Sequence, residues 1–586
     1  MIDPTAPFVL LDDARSGAPA APILYDSPVE IVEARAPGEV RLALRHLRRA
    51  QARGLHAAGF LSYEAGHALE PKLAPLARPA PGDAAPLLWF GLFEQAHPIP
   101  DLAALLPDPA SAFVSPPRPL VAQAEFEAAV AAVQAHIAAG DIYQANLTFQ
   151  AELLTAGSPP AVYAQLRGRA RAGYGALLFT GAHWILSFSP ELFFTLESGR
   201  LTARPMKGTA ARAADPAADA AVIEALRADP KQRAENLMIV DLLRNDLSRV
   251  SRPGTVEVPA LFEVETYPTV HQMTSTVTSE LEPGLGPYDV VEALFPCGSI
   301  TGAPKIRATQ IIAETEPERR GVYTGSIGRV APDGGASFNV AIRTLTLRAG
   351  ERRGVIGLGA GIVADSRAAD EWRECLAKGA FLKGSDFDLI ETMHFDPHEG
   401  IAELDRHLAR MKASGQALGF AFDRHGARND LQAATFRLRD ETKVRLRLSR
   451  TGAIAVESRP MPVDPDEPVP VAFVARPVAA DDFRLGHKTS DRAFYDEARR
   501  ASGCFEVIFA DGDGFLTEGS FTHLFVEQDG TLVTPPLSRG LLPGILRARL
   551  IEQGDAVEGE VSLASLPAEF YIGNSVRGLI RAKRAA

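Results

Sequence analysis

Glu191 and Lys207 lie sixteen positions apart (207 − 191), the glutamate in Ser189-Pro190-Glu191 and the lysine in Arg204-Pro205-Met206-Lys207-Gly208-Thr209. A strand, a turn and a returning strand would bring carboxyl and amine together, which is the minimum for moving a proton or activating an amine. A surface hairpin carrying two solvated charges is the plain alternative. Ala234 to Leu247 is apolar nearly all round yet holds Glu235, Asp241, Arg244 and Asp246, so these charges must pair with one another or bind a metal. Glu371, Glu374 and Lys378 fall at i, i+3 and i+7 on one helical face. Two carboxylates from different helices would hold one Mg2+, which takes oxygen ligands and keeps several waters; a surface ion-pair ladder would show the same spacing. Two turn-rich segments could receive an anion. Gly298 to Lys305 contains Thr301 and sets Pro304 before a helical pattern, and Gly357 to Ser366 contains Gly359 and Gly361, which let backbone approach a ligand.

A different set of groups follows beyond residue 385. Lys488 lies in Leu485-Gly486-His487-Lys488-Thr489-Ser490-Asp491-Arg492, where a lone lysine is ordinarily solvated. Glu518 stands before a glycine turn and a strand, and Leu541-Leu542-Pro543-Gly544-Ile545-Leu546-Arg547 opens a helix whose first amides are free. Arg410 sits on an earlier helix, and Gly573-Asn574-Ser575 forms a late turn. An amine, a carboxylate and an anion-binding helix start are what pyridoxal phosphate requires.

The elements that must position these groups are legible in part. Phe126, Val130, Val133 and Ile137 recur at helical spacing between Val121 and Ala139, with Gly140 as the stop. Asp141 to Phe149 alternates as a half-buried strand should, and further strands are expected at Ala176 to Phe179, Trp184 to Phe188, Leu192 to Leu196 and Ser337 to Leu347. Helices are expected over Ile306 to Glu314 and Glu371 to Phe381, and the Ala/Pro-rich stretches Leu73 to Pro86 and Pro107 to Pro119 read as loops inside one domain. Many strands with few helices favour an α+β fold with a large, mostly antiparallel sheet. A boundary is expected near Lys383-Gly384-Ser385-Asp386, after which a new strand (Phe387 to Phe395) and helix (Ile401 to Leu418, stopped by Gly419) begin.

The 586 residues are several domains' worth of chain, and 46% hydrophobic with 23% charged composition excludes disorder as the main state. With 61 basic against 73 acidic residues and a net charge of −12, nucleic acid is not an expected partner. Three dispersed cysteines, Cys297, Cys375 and Cys504, supply neither a disulfide framework nor a zinc site. No export signal is read at Met1-Ile2-Asp3-Pro4 and no run of apolar residues is long enough to span a bilayer, so a cytoplasmic protein without membrane attachment is expected.

Taken together, the five patches of the first part resemble the chorismate-utilising enzymes, the family of anthranilate synthase component I, aminodeoxychorismate synthase component I and the isochorismate synthases. The match is strong over 120–382 and fainter over Phe8 to Glu94. The resemblance implies a large antiparallel β-sandwich with outer helices. It also implies a chorismate site in which Glu235 and Glu374 hold Mg2+ on the ring carboxylate and Glu191 serves the departing hydroxyl as general acid/base. Arg343 with the Gly359 to Gly361 amides would grip a carboxylate, and Lys378 and Thr301 are counted with the substrate-binding set. Lysine in the Pro-x-Lys-Gly-Thr motif is like that of the aminodeoxychorismate synthase branch, where it is proposed as the nucleophile that adds to the ring, so Lys207 selects that branch.

Beyond residue 385 the order of groups is similar to the fold-type-IV pyridoxal phosphate enzymes, which include branched-chain and D-amino acid aminotransferases and aminodeoxychorismate lyase. This implies a smaller two-part α/β domain. Lys488 would be its Schiff-base lysine, Glu518 the partner of the pyridine nitrogen, and Arg410, Ile545 and Leu546 the phosphate grip, with Thr392 as a proton donor in the substrate pocket. Leu546 stands where many members have threonine, so only its amide can serve. The expected organisation is thus 1–384 for the chorismate domain and 385–586 for the pyridoxal phosphate domain. The pairing implies conversion of chorismate and ammonia to 4-amino-4-deoxychorismate and then loss of pyruvate to p-aminobenzoate, a folate precursor. No Gly-x-Cys-x-Gly elbow is present, so a separate glutamine amidotransferase subunit is implied as the ammonia source, and the resemblance admits a homodimer through the second domain. Two rivals stand beside this reading: an anthranilate-type synthase fused to an aminotransferase, and a non-catalytic protein on degenerate enzyme domains.

Overall fold

Strand Leu88–Phe93, sequence LWFGLF, is buried at every position because both of its faces are covered. Trp89 and Phe93 point into a core shared with Val9, Ala176, Leu178 and Ile185 from a second sheet. Leu88, Phe90 and Leu92 meet Val40, Leu44 and Leu47 of helix Pro37–Ala52. A sheet covered on both faces needs continuous apolar strands, and the sandwich with outer helices follows from that patterning.

The computed structural model describes residues 3, 5–15, 21–267, 270–384 and 386–585; Met1, Ile2 and Pro4 of the amino-terminal start and Ser385 of the expected boundary lie outside the described residues. It divides into two compact units, the first made of 1–107, 116–153 and 163–383, the second of 108–115, 154–162 and 384–586. In the first unit one sheet places Gln144–Ala156 beside Arg353–Ile362, followed by Thr344–Arg348, His183–Ser189, Tyr174–Phe179 and Phe8–Asp12. The other places Met206–Ala211 beside Val270–Glu280, followed by Arg200–Arg204, Leu192–Glu197, Ala336–Asn339, Ser326–Val330, His56–Leu61 and Leu88–Phe93. Their pairings are antiparallel.

The expected single strand Ser337 to Leu347 is two strands, Ala336–Asn339 in one sheet and Thr344–Arg348 in the other. The chain crosses between sheets through 340–343, and Arg343 adopts φ 51°, a left-handed conformation that no strand can continue through. The stretch Pro107 to Pro119 is not a loop of the first unit alone, because Asp108–Ser115 groups with the second. There the Phe113 ring lies 5.6 Å from Phe387 and 5.7 Å from Phe483, with the Arg450 guanidinium 4.9 Å over it. A phenylalanine in a Pro/Ala-rich segment is invisible to periodicity but large enough to decide where the segment packs.

The second unit joins an antiparallel four-stranded sheet, in which Leu389–Asp396 pairs with Thr442–Leu448, to a mixed eight-stranded one. In the latter Val469–Ala475 runs parallel to Glu506–Ala510 and to Gly578–Arg584. Both units mix helices with sheets, so the α+β class and the two-part second domain are as expected. Among the described residues no helix is long and apolar enough to cross a membrane.

Candidate functional site

Two polar clusters stand out, one in each unit, and each holds a buried glutamate, Glu191 in the first and Glu518 in the second. In the first, helix Pro230–Ser248 starts cleanly because Asp229 accepts the Lys231 and Gln232 amides and Pro230 presets the first turn. Its buried face, Asn236, Ile239, Val240, Leu243, Asp246 and Leu247, fixes the rotation that presents Glu235 to the site. Asn236 donates to the Lys207 carbonyl at 3.3 Å and accepts from Ser275 at 2.6 Å, tying the helix to the strand that bears the lysine. Burial pushes Lys207 below the ordinary ammonium value, Lys378 pushes it further, and Glu235, Glu191 and Glu374 oppose both. Burial also raises the Glu191 carboxyl to about 7 against hydrogen bonds from Ser299 and the Met206 amide and the charges of Lys207 and Lys378. Its Oε1 has no hydrogen-bond partner among the described residues.

Glu374 and Lys378 are paired at 2.8 Å on helix Ala368–Lys378, and Lys378 Nζ also donates to the Gly359 carbonyl at 2.8 Å. Burial alone would raise Glu374, but Lys378, then Lys207 and Lys231, hold it below the usual value; Glu235 is raised by burial with Glu374 as a like-charged neighbour. A β-carbon on Gly361 would stand 2.8 Å from Gln144 Nε2 and 2.9 Å from Lys207 Nζ. Glycine is therefore required where the backbone, an amide and an amine meet.

Glu191, Lys207, Glu235, Glu374, Lys378, Gly359 and Gly361 are thus brought together. Thr301 is fully buried and its hydroxyl donates to the Cys297 and Gly298 carbonyls, so it holds the turn and shows no contact with the lysine cluster among the described residues. Arg343, at the sheet crossing, is half-buried with its pKa lowered by that burial, and its guanidinium makes no hydrogen bond or ion pair among the described residues. A half-buried cation without an anion suits a carboxylate, and among the described residues no hydrogen bond or ion pair ties it to the cluster. Of the other charges on helix Pro230–Ser248, Asp241 and Arg244 form an exposed pair at 2.9 Å, while buried Asp246 pairs with Lys305 at 2.7 Å.

Sequence reasoning did not single out Gln144, Asn236 or Ser299. Gln144 is 1% exposed, and among the described residues neither of its amide atoms has a hydrogen-bond partner. A glutamine in an apolar alternating strand was the available signal, since buried polar groups need partners.

The second cluster surrounds a cavity of about 550 Å³ lined by Lys488, Thr392, Arg410, Glu518, Ile545 and Leu546, among others. Every residue expected to serve this site lines that one cavity. Burial, then Arg410, lower the Lys488 amine to about 7, with Glu391 opposing and Arg492 and Arg445 assisting. Burial raises Glu518 to about 7 despite a 2.5 Å hydrogen bond from Tyr495 and one of 3.1 Å from the Leu542 amide. Arg410 is not a bare cation: Nε and one terminal nitrogen reach Glu391 at 2.8 and 2.6 Å, and the other donates to the Pro543 carbonyl. His407 shares the same glutamate at 2.6 Å. Glu391 and Tyr495 also escaped sequence reasoning, although a glutamate inside the strand run Leu389–Asp396 marks a charge that must be paired.

Residues 14–384 match the family model of chorismate binding enzymes, and 388–585 match that of class IV aminotransferases. The first match covers well over half of the chain, which therefore belongs to the chorismate binding enzyme family. Among curated relatives, aminodeoxychorismate synthase component 1 of Klebsiella aerogenes is 46% identical over 246 residues, 42% of this chain and 54% of that protein. Anthranilate synthase component 1 of Streptomyces coelicolor is 43% identical over 257 residues, 44% of this chain and 50% of that one. The chain thus spans about half the length of the curated relatives it matches. The solved anthranilate synthase component I from Streptococcus pneumoniae superposes with a TM-score of 0.54 at 28% identity, over 63% of this chain and 93% of that structure.

Proposed function

We propose that this chain makes p-aminobenzoate from chorismate in two steps, amination to 4-amino-4-deoxychorismate in the first unit and elimination of pyruvate in the second. The observation that carries the reading is Lys207, an amine of lowered pKa among three carboxylates, one of which is a proton donor near neutrality. An amine must be neutral to attack a ring carbon and a departing hydroxyl must be protonated, and Lys207 and Glu191 meet those two needs side by side. Arg343 supplies an unpaired cation for a substrate carboxylate.

Glu235 and Glu374 fit a Mg2+ that completes its shell with water and substrate oxygens. No group of three or more potential ligands exists among the described residues, so the protein alone offers two carboxylates to a metal that accepts such a site. Bound there, Mg2+ would neutralise the ring carboxylate.

The second cavity fits pyridoxal phosphate on its own evidence: a half-buried lysine whose amine makes no hydrogen bond or ion pair among the described residues, a buried protonatable glutamate, and the Ile545 and Leu546 amides at a helix start. The cofactor, once bound, would supply an electron sink for carbanion formation. Lys488, lowered to about 7, would take the proton from the substrate carbon, Thr392 in the same cavity would return one, and Glu518 would partner the ring nitrogen. Lys443, Arg445 and Arg577 also line the cavity, and three cations suit a dicarboxylate such as 4-amino-4-deoxychorismate better than a monocarboxylate amino acid, which favours the lyase over an aminotransferase.

Ammonia would come from a separate amidotransferase subunit. Cys297 and Cys375 are buried with thiols raised to about 12 by that burial, far from the thiolate such a reaction needs. A cytoplasmic setting and a homodimer through the second unit complete the reading. Incubation of the purified chain with chorismate, ammonium, Mg2+ and pyridoxal phosphate should yield p-aminobenzoate and pyruvate. Anthranilate would instead establish the anthranilate-type rival, and no turnover with either substrate would favour the non-catalytic one.

A further inference from the structure

His523 begins strand His523–Gln528, is 6% exposed, and its ring makes no hydrogen bond among the described residues although it lines the same cavity as Lys488. Its Nε2 lies 2.1 Å from where a β-carbon of Gly544 would stand. Gly544 is the N-cap of helix Ile545–Gln553, so the imidazole occupies the space that a capping side chain would take at that helix start. Only glycine admits the ring there. The amides of Ile545, Leu546 and Arg547 donate to no partner among the described residues, and Leu546 adds no side-chain donor.

The other expected anion ligand is compromised. Arg410 gives Nε and one terminal nitrogen to Glu391 and the other to the Pro543 carbonyl, so its charge is largely spent within the protein. A phosphate dianion on the Ile545 and Leu546 amides would draw on a side-chain donor at the same helix start, and His523, whose ring lies against Gly544, is the buried one there that makes no hydrogen bond among the described residues. Burial first, then Arg547, Arg410 and Lys488, depress its pKa to about 3, and no carboxylate acts on it. The ring is neutral and keeps one N–H to donate.

We propose that His523 is a further phosphate-binding residue of this cavity, donating a ring N–H to the phosphate ester of the cofactor seated on the Ile545 and Leu546 amides. This rests on the pyridoxal phosphate reading above.

The test compares the affinity of the full-length protein for pyridoxal 5′-phosphate and for pyridoxal, which lacks the phosphate, by absorbance titration of wild type, His523→Phe and His523→Asn. Loss of a hydrogen bond to a charged group predicts that His523→Phe weakens pyridoxal phosphate about tenfold to a hundredfold and pyridoxal less than about twofold. His523→Asn keeps a donor and should recover most of the difference. Equal weakening of both compounds would reduce His523 to a space-filling role, and no weakening of either would remove it from the site. Should His523→Phe not fold, 15N-histidine-labelled wild type decides: pyridoxal phosphate, but not pyridoxal, should shift one ring signal that His523→Asn lacks, and an unmoved signal overturns the proposal. If wild type binds neither compound, the cofactor reading falls and takes this inference with it; binding with an unchanged difference defeats the inference alone.

Discussion

Lys207 and Lys488 are both buried amines whose pKa is lowered first by burial, yet their surroundings have opposite sign. Around Lys207 one cation, Lys378, adds to burial and three carboxylates resist it. Around Lys488 three arginines, Arg410, Arg492 and Arg445, add to burial and Glu391 alone resists, which brings the amine to about 7. A carboxylate-rich cage suits a metal ion and a departing hydroxyl, whereas an arginine-rich one suits a phosphate and a dicarboxylate. The same side chain thus meets two electrostatic settings, one for each task proposed above, and a one-unit change in pKa is only about 1.4 kcal/mol of interaction.

The largest test of this contrast exchanges the lysines for alanine. Lys488→Ala should lower p-aminobenzoate formation by about 10³-fold or more while chorismate consumption continues, and Lys207→Ala should do the reverse, with 4-amino-4-deoxychorismate still yielding pyruvate. The two half-reactions are read by product analysis. Loss of both in either folded variant would collapse the two sites into one, and wild-type amination by Lys207→Ala would remove its nucleophile role.

A chelator divides the units next. With EDTA the proposed Mg2+ site at Glu235 and Glu374 predicts that the amination step falls about a hundredfold, whereas pyruvate release from supplied 4-amino-4-deoxychorismate should be unchanged. Pyruvate release that also stops would mean the second unit needs a metal.

The pH profiles should slope in opposite directions. Glu191, raised to about 7, gives a proton and loses it as pH rises, so kcat/KM of the first step should fall about tenfold per unit above 7. Lys488, lowered to about 7, takes a proton and is useful when neutral, so kcat/KM of the second step should fall about tenfold per unit below 7. Glu191→Gln should be slow and lose the alkaline limb. Parallel profiles for the two steps would contradict the assignment.

The smallest effects contrast two charges of one helix. Asp246→Ala leaves Lys305 buried without its partner and should cost about 3 kcal/mol in urea unfolding. Arg244→Ala breaks only the exposed pair with Asp241 and should stay within about 0.5 kcal/mol. Similar losses from both would place the two pairs in the same environment.

The local elements were largely legible, and for one reason: periodicity and stop signals are local. Helix Gln123–Ala138 follows its apolar spacing, helix Leu404–Leu418 ends where Gly419 turns left-handed, and helix Ala368–Lys378 puts Glu374 beside Lys378 as i, i+4 geometry requires. The residue types of both sites were legible for a related reason, since a charge inside an apolar run must have a partner. Local signals also misled. The run Ser337 to Leu347 reads as one strand, and only the left-handed turn at Arg343 reveals that it serves two sheets.

By itself the sequence determined the class of fold and singled out the residues proposed for the two sites, Lys207 and Lys488 among them. Tertiary structure alone decided which of them meet. It placed Gln144 and Lys207 over Gly361, set Ser299 against Glu191, spent the Thr301 hydroxyl on its own turn, gave the Arg343 guanidinium no hydrogen bond or ion pair among the described residues, and put the His523 ring where Gly544 has no side chain. The physical reason is that burial and distance, which set every pKa and every free donor here, are properties of residues far apart in the chain, and nothing in their local spacing encodes the distance between them.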